Sequence, residues 1–428
     1  MADSVMKWIR GIREKFDKTQ FFMLLSIIGP GIITAAVDND PGGITTYSVA
    51  GSHYGFLLLW TIIPILIALV LIQEMAARMG IVTGKGLADL IRENYGLRVT
   101  FYLMLLLIIV NFGNVLSEFA GIAAAGDIFG ISKYILIPIC AIGIWFLVVY
   151  GSYKVVERVF LAASLFYIAY IVSGILAKPV WNTVLLQIVT PHLVMRSDYF
   201  VIIMGLIGTT IAPWMMFYLQ SSIVEKGLKP ADLKYSRADV ISGSIVTAIV
   251  AFFIIVACAV TLYANGITVD TAGEAAKALL PLAGTYAALL FAFGLFNAGV
   301  FSAAILPLST AYSVCEGMGW ESGVNKKFRE APQFYFLITG LIVFGAAIIL
   351  IPRIPLLDIM IISQVLNGIL LPVILVYMLR LSNNRKIMGE YKNSRTFNIT
   401  TWGITVIIIV LTVFLTLSYF SPNMFIFA

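Results

Sequence analysis

Long apolar runs separated by short polar segments fill the chain from about residue 21 to residue 420. A helix needs about 20 apolar residues to cross a ~30 Å hydrocarbon core, and eleven runs come near or exceed that length: 21–50, 57–77, 99–126, 134–150, 156–177, 199–224, 238–264, 283–314, 333–351, 355–379 and 398–420. Two of them are interrupted. In the first, Val37-Asp38-Asn39-Asp40-Pro41-Gly42-Gly43 places two carboxylates and a helix break inside an apolar stretch. A carboxylate at membrane depth costs about 3 kcal/mol or more, so it marks a functional position. Pro41 supplies no N–H, and carbonyls freed in this way are tolerated only where they are buried in protein or face a cavity. The sixth run is broken by Gly208-Thr209-Thr210-Ile211-Ala212-Pro213-Trp214. Matching breaks five spans apart predict an inverted-repeat transporter with an ion site at the midplane.

Composition agrees with this pattern. With 60% hydrophobic and 12% charged residues among 428 and a mean hydropathy of +0.98, the chain has too little polar surface to cover a soluble globule. The formal net charge of +6 is spread over short loops, which excludes nucleic acid as a partner and suits a topology signal. With the N-terminus inside, all basic residues fall on cytoplasmic segments except Lys133, Lys178, Arg196, Lys277 and Arg353. The expected protein is therefore a multi-pass plasma-membrane protein with a cytoplasmic N-terminus and an extracellular C-terminus. Residues 1–20 read as a basic cytoplasmic lead-in rather than a cleaved signal. Cys140, Cys258 and Cys315 are widely spaced in apolar surroundings and read as small core residues. Loops are short, so one domain is expected over 1–428, with a first repeat at 21–177, a second at 199–379 and an additional helix at 398–420. Segment 272–282 reads as an amphipathic lead into the eighth span.

The two breaks and their flanks carry a resemblance. Asp40-Pro41-Gly42-Gly43 resembles the Asp-Pro-Gly-Asn motif of the Nramp family of divalent metal transporters. Met75-Ala76-Ala77-Arg78-Met79-Gly80-Ile81-Val82-Thr83-Gly84-Lys85-Gly86 resembles that family's segment after span two. Glu118-Phe119, Tyr218-Leu219-Gln220-Ser221-Ser222 and Ser363-Gln364-Val365-Leu366 extend the likeness. It implies an all-α polytopic LeuT-type fold, a 5+5 inverted repeat with discontinuous helices 1 and 6 plus one extra helix. Three departures stand out. Gly43 replaces asparagine, alignment puts Ala212 and Trp214 at the family's methionine and histidine, and Val115 replaces an aspartate near Glu118. A shifted register would instead bring Met215 or Met216 near the site. The departures resemble the branch of Nramp-related magnesium transporters.

Chemistry points the same way. A thioether favours transition metals, whereas carboxylate, carbonyl and water favour Mg²⁺ and Mn²⁺. Ala212 lacks the soft ligand, and Gly43 leaves room for an ion that gives up water reluctantly. Asp40 is the first candidate ligand. The resemblance adds the carbonyls of Val37 and Thr209, and Gln364 and Asn367 share a helix face one turn apart. Asp38, Trp214 and Glu118 are assigned to the pathway, with Glu118 read either as a vestigial proton site or as a carboxyl shaping the aqueous path. His53 and His192 fall in outer loops, so no imidazole relay lies in a span. The expected function is facilitated uptake of divalent cations, preferentially Mg²⁺ and also Mn²⁺, with weak or no proton coupling. The ion is transported substrate, and neither a resident cofactor nor an obligate protein partner is expected. The alternatives are a proton-coupled Mn²⁺ or transition-metal symporter, an organic-solute carrier, whose carboxylate Asp40 would repel, and a cation channel. No enzyme is expected, because no His-rich cluster or Gly-x-Ser-x-Gly elbow is present.

Overall fold

The computed structural model describes residues 37, 39–150, 168–279, 284–324 and 326–420. Its principal helices are α1 (Pro41–Tyr54), α2 (Ile62–Thr83), α3 (Leu87–Phe129), α4 (Lys133–Tyr150), α5 (Ile168–Leu176), α6 (Trp181–Val189) and α7 (Ser197–Thr210). They continue with α8 (Pro213–Glu225), α9 (Leu233–Thr261), α10 (Ala272–Ala276), α11 (Ala287–Met318), α12 (Pro332–Ile349), α13 (Leu356–Asn383) and α14 (Arg395–Phe420). Among the described residues nine helices, counting α7 and α8 as one broken span, are long and apolar enough to cross a membrane. The start of the first expected span and most of the fifth lie outside the described residues.

The element boundaries follow local chemistry. Pro41 and Pro213 each open a helix at its first position, where the missing N–H has no intrahelical partner to lose. Gly96 inside α3, with φ 83°, separates a short amphipathic segment from the span that begins near residue 99. Two expectations need correction. His53 lies in the last turn of α1 rather than in a loop, because that helix runs on to Tyr54. The stretch after the fifth span, read as a loop, contains α6, bent 119° from α5. At nine residues α6 is too short to register as a span.

Burial sorts the helices. In the most apolar window of the broken span α7–α8, 94% of residues are buried, against 17% in α4 and 22% in α14. The broken span is thus the centre, and α4 and α14 present apolar surface outward. Around it, α3 packs on α11 and α13, while α1 packs on α3, α7, α9 and α13. Small residues bring these backbones together. Pro41 is wedged against Gly121 of α3 and Gly299 of α11, so a Cβ on Gly121 would collide with the Pro41 ring. A Cβ on Gly208 of α7 would overlap the Gln364 carbonyl of α13, and one on Gly368 would stand 2.6 Å from the Met204 sulfur.

A polar cluster fastens one end of the bundle. Buried Arg78 of α2 pairs with Glu74 at 3.1 Å and donates to the Tyr391 carbonyl at 2.5 Å and to Asn393 Oδ1 at 2.7 Å. Glu74 also pairs with Arg237 of α9 at 2.8 Å. The cluster ties α2 and α9 to the link between α13 and α14.

Candidate functional site

Asp40 precedes α1 and is buried, with 7% exposure. Its Oδ1 accepts a hydrogen bond from the Gly43 N–H at 2.5 Å, capping the helix. Its Oδ2 accepts a hydrogen bond from Gln364 Nε2 of α13, at 3.4 Å. The Gln364 amide lies directly on Gly42, where any Cβ would overlap it and stand 2.8 Å from Ser117 Oγ. The Gly208 contact presses Gln364 against α7, beside Thr209. The first break, the second break and α13 therefore meet at Gln364.

The prolines explain which carbonyls are available. A helical N–H bonds the carbonyl four residues earlier, so Pro41 withholds a donor from Val37 and Pro213 withholds one from Thr209. Thr209 is buried, and its Oγ1 has no partner among the described residues. Thr210 Oγ1 pairs with Tyr47 of α1 at 2.9 Å, joining the two broken segments.

Glu118 of α3 is completely buried and faces Asp40 closely enough for the two carboxyl groups to interact. No hydrogen bond of good geometry joins them, and neither Glu118 oxygen has such a partner among the described residues. Two carboxylates facing each other away from water would repel strongly, and a divalent cation beside them would offset that repulsion.

The other candidates are placed as follows. Gly43 contributes its N–H to the cap of Asp40. Ala212, extended at φ −72° and ψ 138°, precedes α8 and is buried. Trp214 is buried, its ring 6.0 Å from that of Tyr218. Met215 and Met216 are both buried in α8. Asn367 sits behind Gln364, donating to Gln364 Oε1 at 2.9 Å, and exchanges two hydrogen bonds with Asn114 of α3, at 2.9 and 3.0 Å. Asp38 lies outside the described residues. Asn114, Ser117 and Tyr47 were not singled out in the sequence. Asn114 is an amide in an apolar span, one turn before Glu118 on the same face, and that was the signal available.

Two cavities flank the cluster. One of about 560 Å³ is lined by Asp127, Asp270, Thr271 and Met360, with Met360 one turn from Gln364. At its rim Glu274 accepts from the Asp270 N–H at 2.8 Å, which holds its carboxyl below the usual range and thus charged. The other, about 330 Å³, is lined by Tyr218, Ser221, Glu225, Glu316, Ser322 and Lys326, with Tyr218 one turn from Trp214.

Comparison with known proteins bears on this arrangement. The sequence profile described as "Nramp: Natural resistance-associated macrophage protein-like" matches residues 31–418. The divalent metal cation transporter MntH of Bacillus subtilis is 26% identical over 416 residues, covering 93% of each chain. The MntH of Klebsiella pneumoniae is 28% identical over 398 residues, 90% of this chain and 92% of its own. A crystal structure of the Eremococcus coleocola manganese transporter superposes with a TM-score of 0.75 at 21% identity, over 95% of this chain and 90% of that one. Mhp1, a nucleobase-cation-symport-1 family transporter, gives 0.58 at 14% identity, over 93% of this chain and 88% of its own. The architecture is the expected all-helical LeuT-type one.

Proposed function

Because the chain belongs to the Nramp family, we propose that it carries divalent cations across the plasma membrane by alternating access. Mg²⁺ is the preferred cargo and Mn²⁺ a second, with little or no coupled proton movement. The observation that carries this reading is the facing pair Asp40 and Glu118 beside two proline breaks that leave the Val37 and Thr209 carbonyls without helical donors. That arrangement attracts a cation and repels an organic anion. Relatives named as divalent metal cation transporters support the class of cargo.

The preference for Mg²⁺ rests on the donor set. Carboxylate, carbonyl and hydroxyl oxygens suit hard ions, and Ala212 brings no sulfur to the second break. Gly43 adds no side chain beside Asp40, which leaves space for part of the water shell that Mg²⁺ keeps. These features support reading the chain as one of the Nramp-related magnesium transporters.

A second reading, proton-coupled Mn²⁺ symport, draws on Glu118, a buried carboxyl set against the ligand carboxylate and able to exchange a proton as the ion arrives. Proteoliposomes loaded with a pH dye separate the two. The first reading expects saturable Mg²⁺ uptake, competed by Mn²⁺, without internal acidification, and reduced to background by Asp40→Ala. Mn²⁺ uptake that acidifies the lumen, with millimolar Mg²⁺ neither moving nor competing, would overturn it in favour of the second.

A further inference from the structure

Three buried amides line up behind the carboxylate. Gln364 points Nε2 at Asp40 Oδ2 and gives Oε1 to Asn367 Nδ2. Asn367 in turn exchanges both ends of its amide with Asn114. All three residues are about 1% exposed, so water does not offer substitute partners. The facing of Gln364 is chemically odd for a cation ligand. An amide NH₂ carries partial positive charge and donates, so it suits an ion-free carboxylate and opposes a metal, which takes the carbonyl oxygen instead.

Turning Gln364 alone would set its NH₂ against the NH₂ of Asn367. Turning Asn367 as well relieves that clash and creates two like-to-like contacts with Asn114. Turning all three restores a donor opposite every acceptor within the row and leaves the Gln364 oxygen facing Asp40, a contact that only a cation between them satisfies. A rotated amide fills nearly the same volume, and the Asn114–Asn367 pair closes on itself. The row therefore has two self-consistent states of the same shape, and mixed states leave buried groups unpaired.

Resting on the reading of Asp40 as a cation site, we propose that Asn367 and Asn114 are positioning residues that set which end of the Gln364 amide faces Asp40, and that the three amides rotate together when a divalent cation arrives. Gln364 Nε2 then stands in for the ion in the ion-free site, and Oε1 meets the ion in the loaded one.

Asn367→Asp tests the coupling. An acid at this position in its ionised form only accepts, so Gln364 must turn its NH₂ toward it and its oxygen toward Asp40. Titration of the full-length purified protein with Mg²⁺ should show binding about tenfold tighter, 1.4 kcal/mol. The added charge also attracts Mg²⁺, so the same change is measured in a Gln364→Ala background, where a clearly smaller gain is expected. An equal gain in both backgrounds, or none in either, overturns the proposal. Infrared difference spectra on the wild-type chain, with ¹³C-labelled glutamine or asparagine side-chain carbonyls, give a second readout. Mg²⁺ should shift both bands, and the Asn114→Leu, Asn367→Leu double variant should lose asparagine signal. A glutamine shift without an asparagine one, or neither, overturns concerted rotation while Asp40-dependent uptake remains. Mg²⁺ uptake that survives Asp40→Ala would defeat the cation-site reading itself.

Discussion

At Asp40 the two carboxylate oxygens have different surroundings. One caps α1 through the Gly43 N–H, and the other takes a long contact from Gln364, with the Glu118 carboxyl facing the group. Capping and ion binding are therefore compatible, the cap fixing the carboxylate while the second oxygen stays available. The Gln364 contact depends on the residue beneath it. A methyl group at Gly42 would overlap the Gln364 amide, the movable end of a side chain rather than a backbone. Gly42→Ala should displace that amide and leave the fold intact. The expected outcome is a KM for Mg²⁺ raised about tenfold, the loss of one good ligand contact, with a melting temperature within about 2 °C of wild type. A large melting shift with unchanged KM would show that Gly42 serves packing alone.

At the scale of elements the two breaks act through what their prolines lack. Pro213→Ala supplies an N–H four residues after Thr209, giving that carbonyl a helical partner and favouring a continuous α7–α8. Mg²⁺ uptake should fall at least about tenfold while thermal stability holds or rises, a combination that ordinary core damage does not produce. Unchanged uptake would remove the Thr209 carbonyl from the transport argument. Both breaks were legible in the sequence because a proline and an acid inside an apolar run conflict with lipid. The spans were legible because their length is set by the bilayer. Other features were not. Gly208 against Gln364 and Gly121 against Pro41 are close approaches between distant segments, and a glycine does not announce its partner. The Asn114–Asn367 pair joins residues 253 apart, and nothing local marks either amide as half of a pair. Glu118 was read as an acid on the path. Its closeness to Asp40 depends on how α3 packs against α1, which hydropathy does not encode.

The whole molecule has two ends of different character. The larger cavity opens among Asp127, Asp270 and Glu274, and carboxylates at a mouth concentrate cations there. The smaller one holds Glu225, Glu316 and Lys326, on the side where the Arg78 cluster fastens α2, α9 and the α13–α14 link. The distribution of Lys and Arg predicts that this second side is cytoplasmic. Cysteine labelling can decide, since Cys140, Cys258 and Cys315 are all buried and leave a low background. Gly273 is exposed at the larger cavity, where a Cβ would make only an ordinary contact with Thr271 Oγ1 at 3.8 Å, and Ser322 lines the smaller one. A membrane-impermeant maleimide should modify Gly273→Cys in intact cells and Ser322→Cys only after permeabilisation. The opposite pattern would invert the protein and make the acidic mouth a cytoplasmic exit. Uptake would then have to start from the cavity lined by Glu225, Glu316 and Lys326.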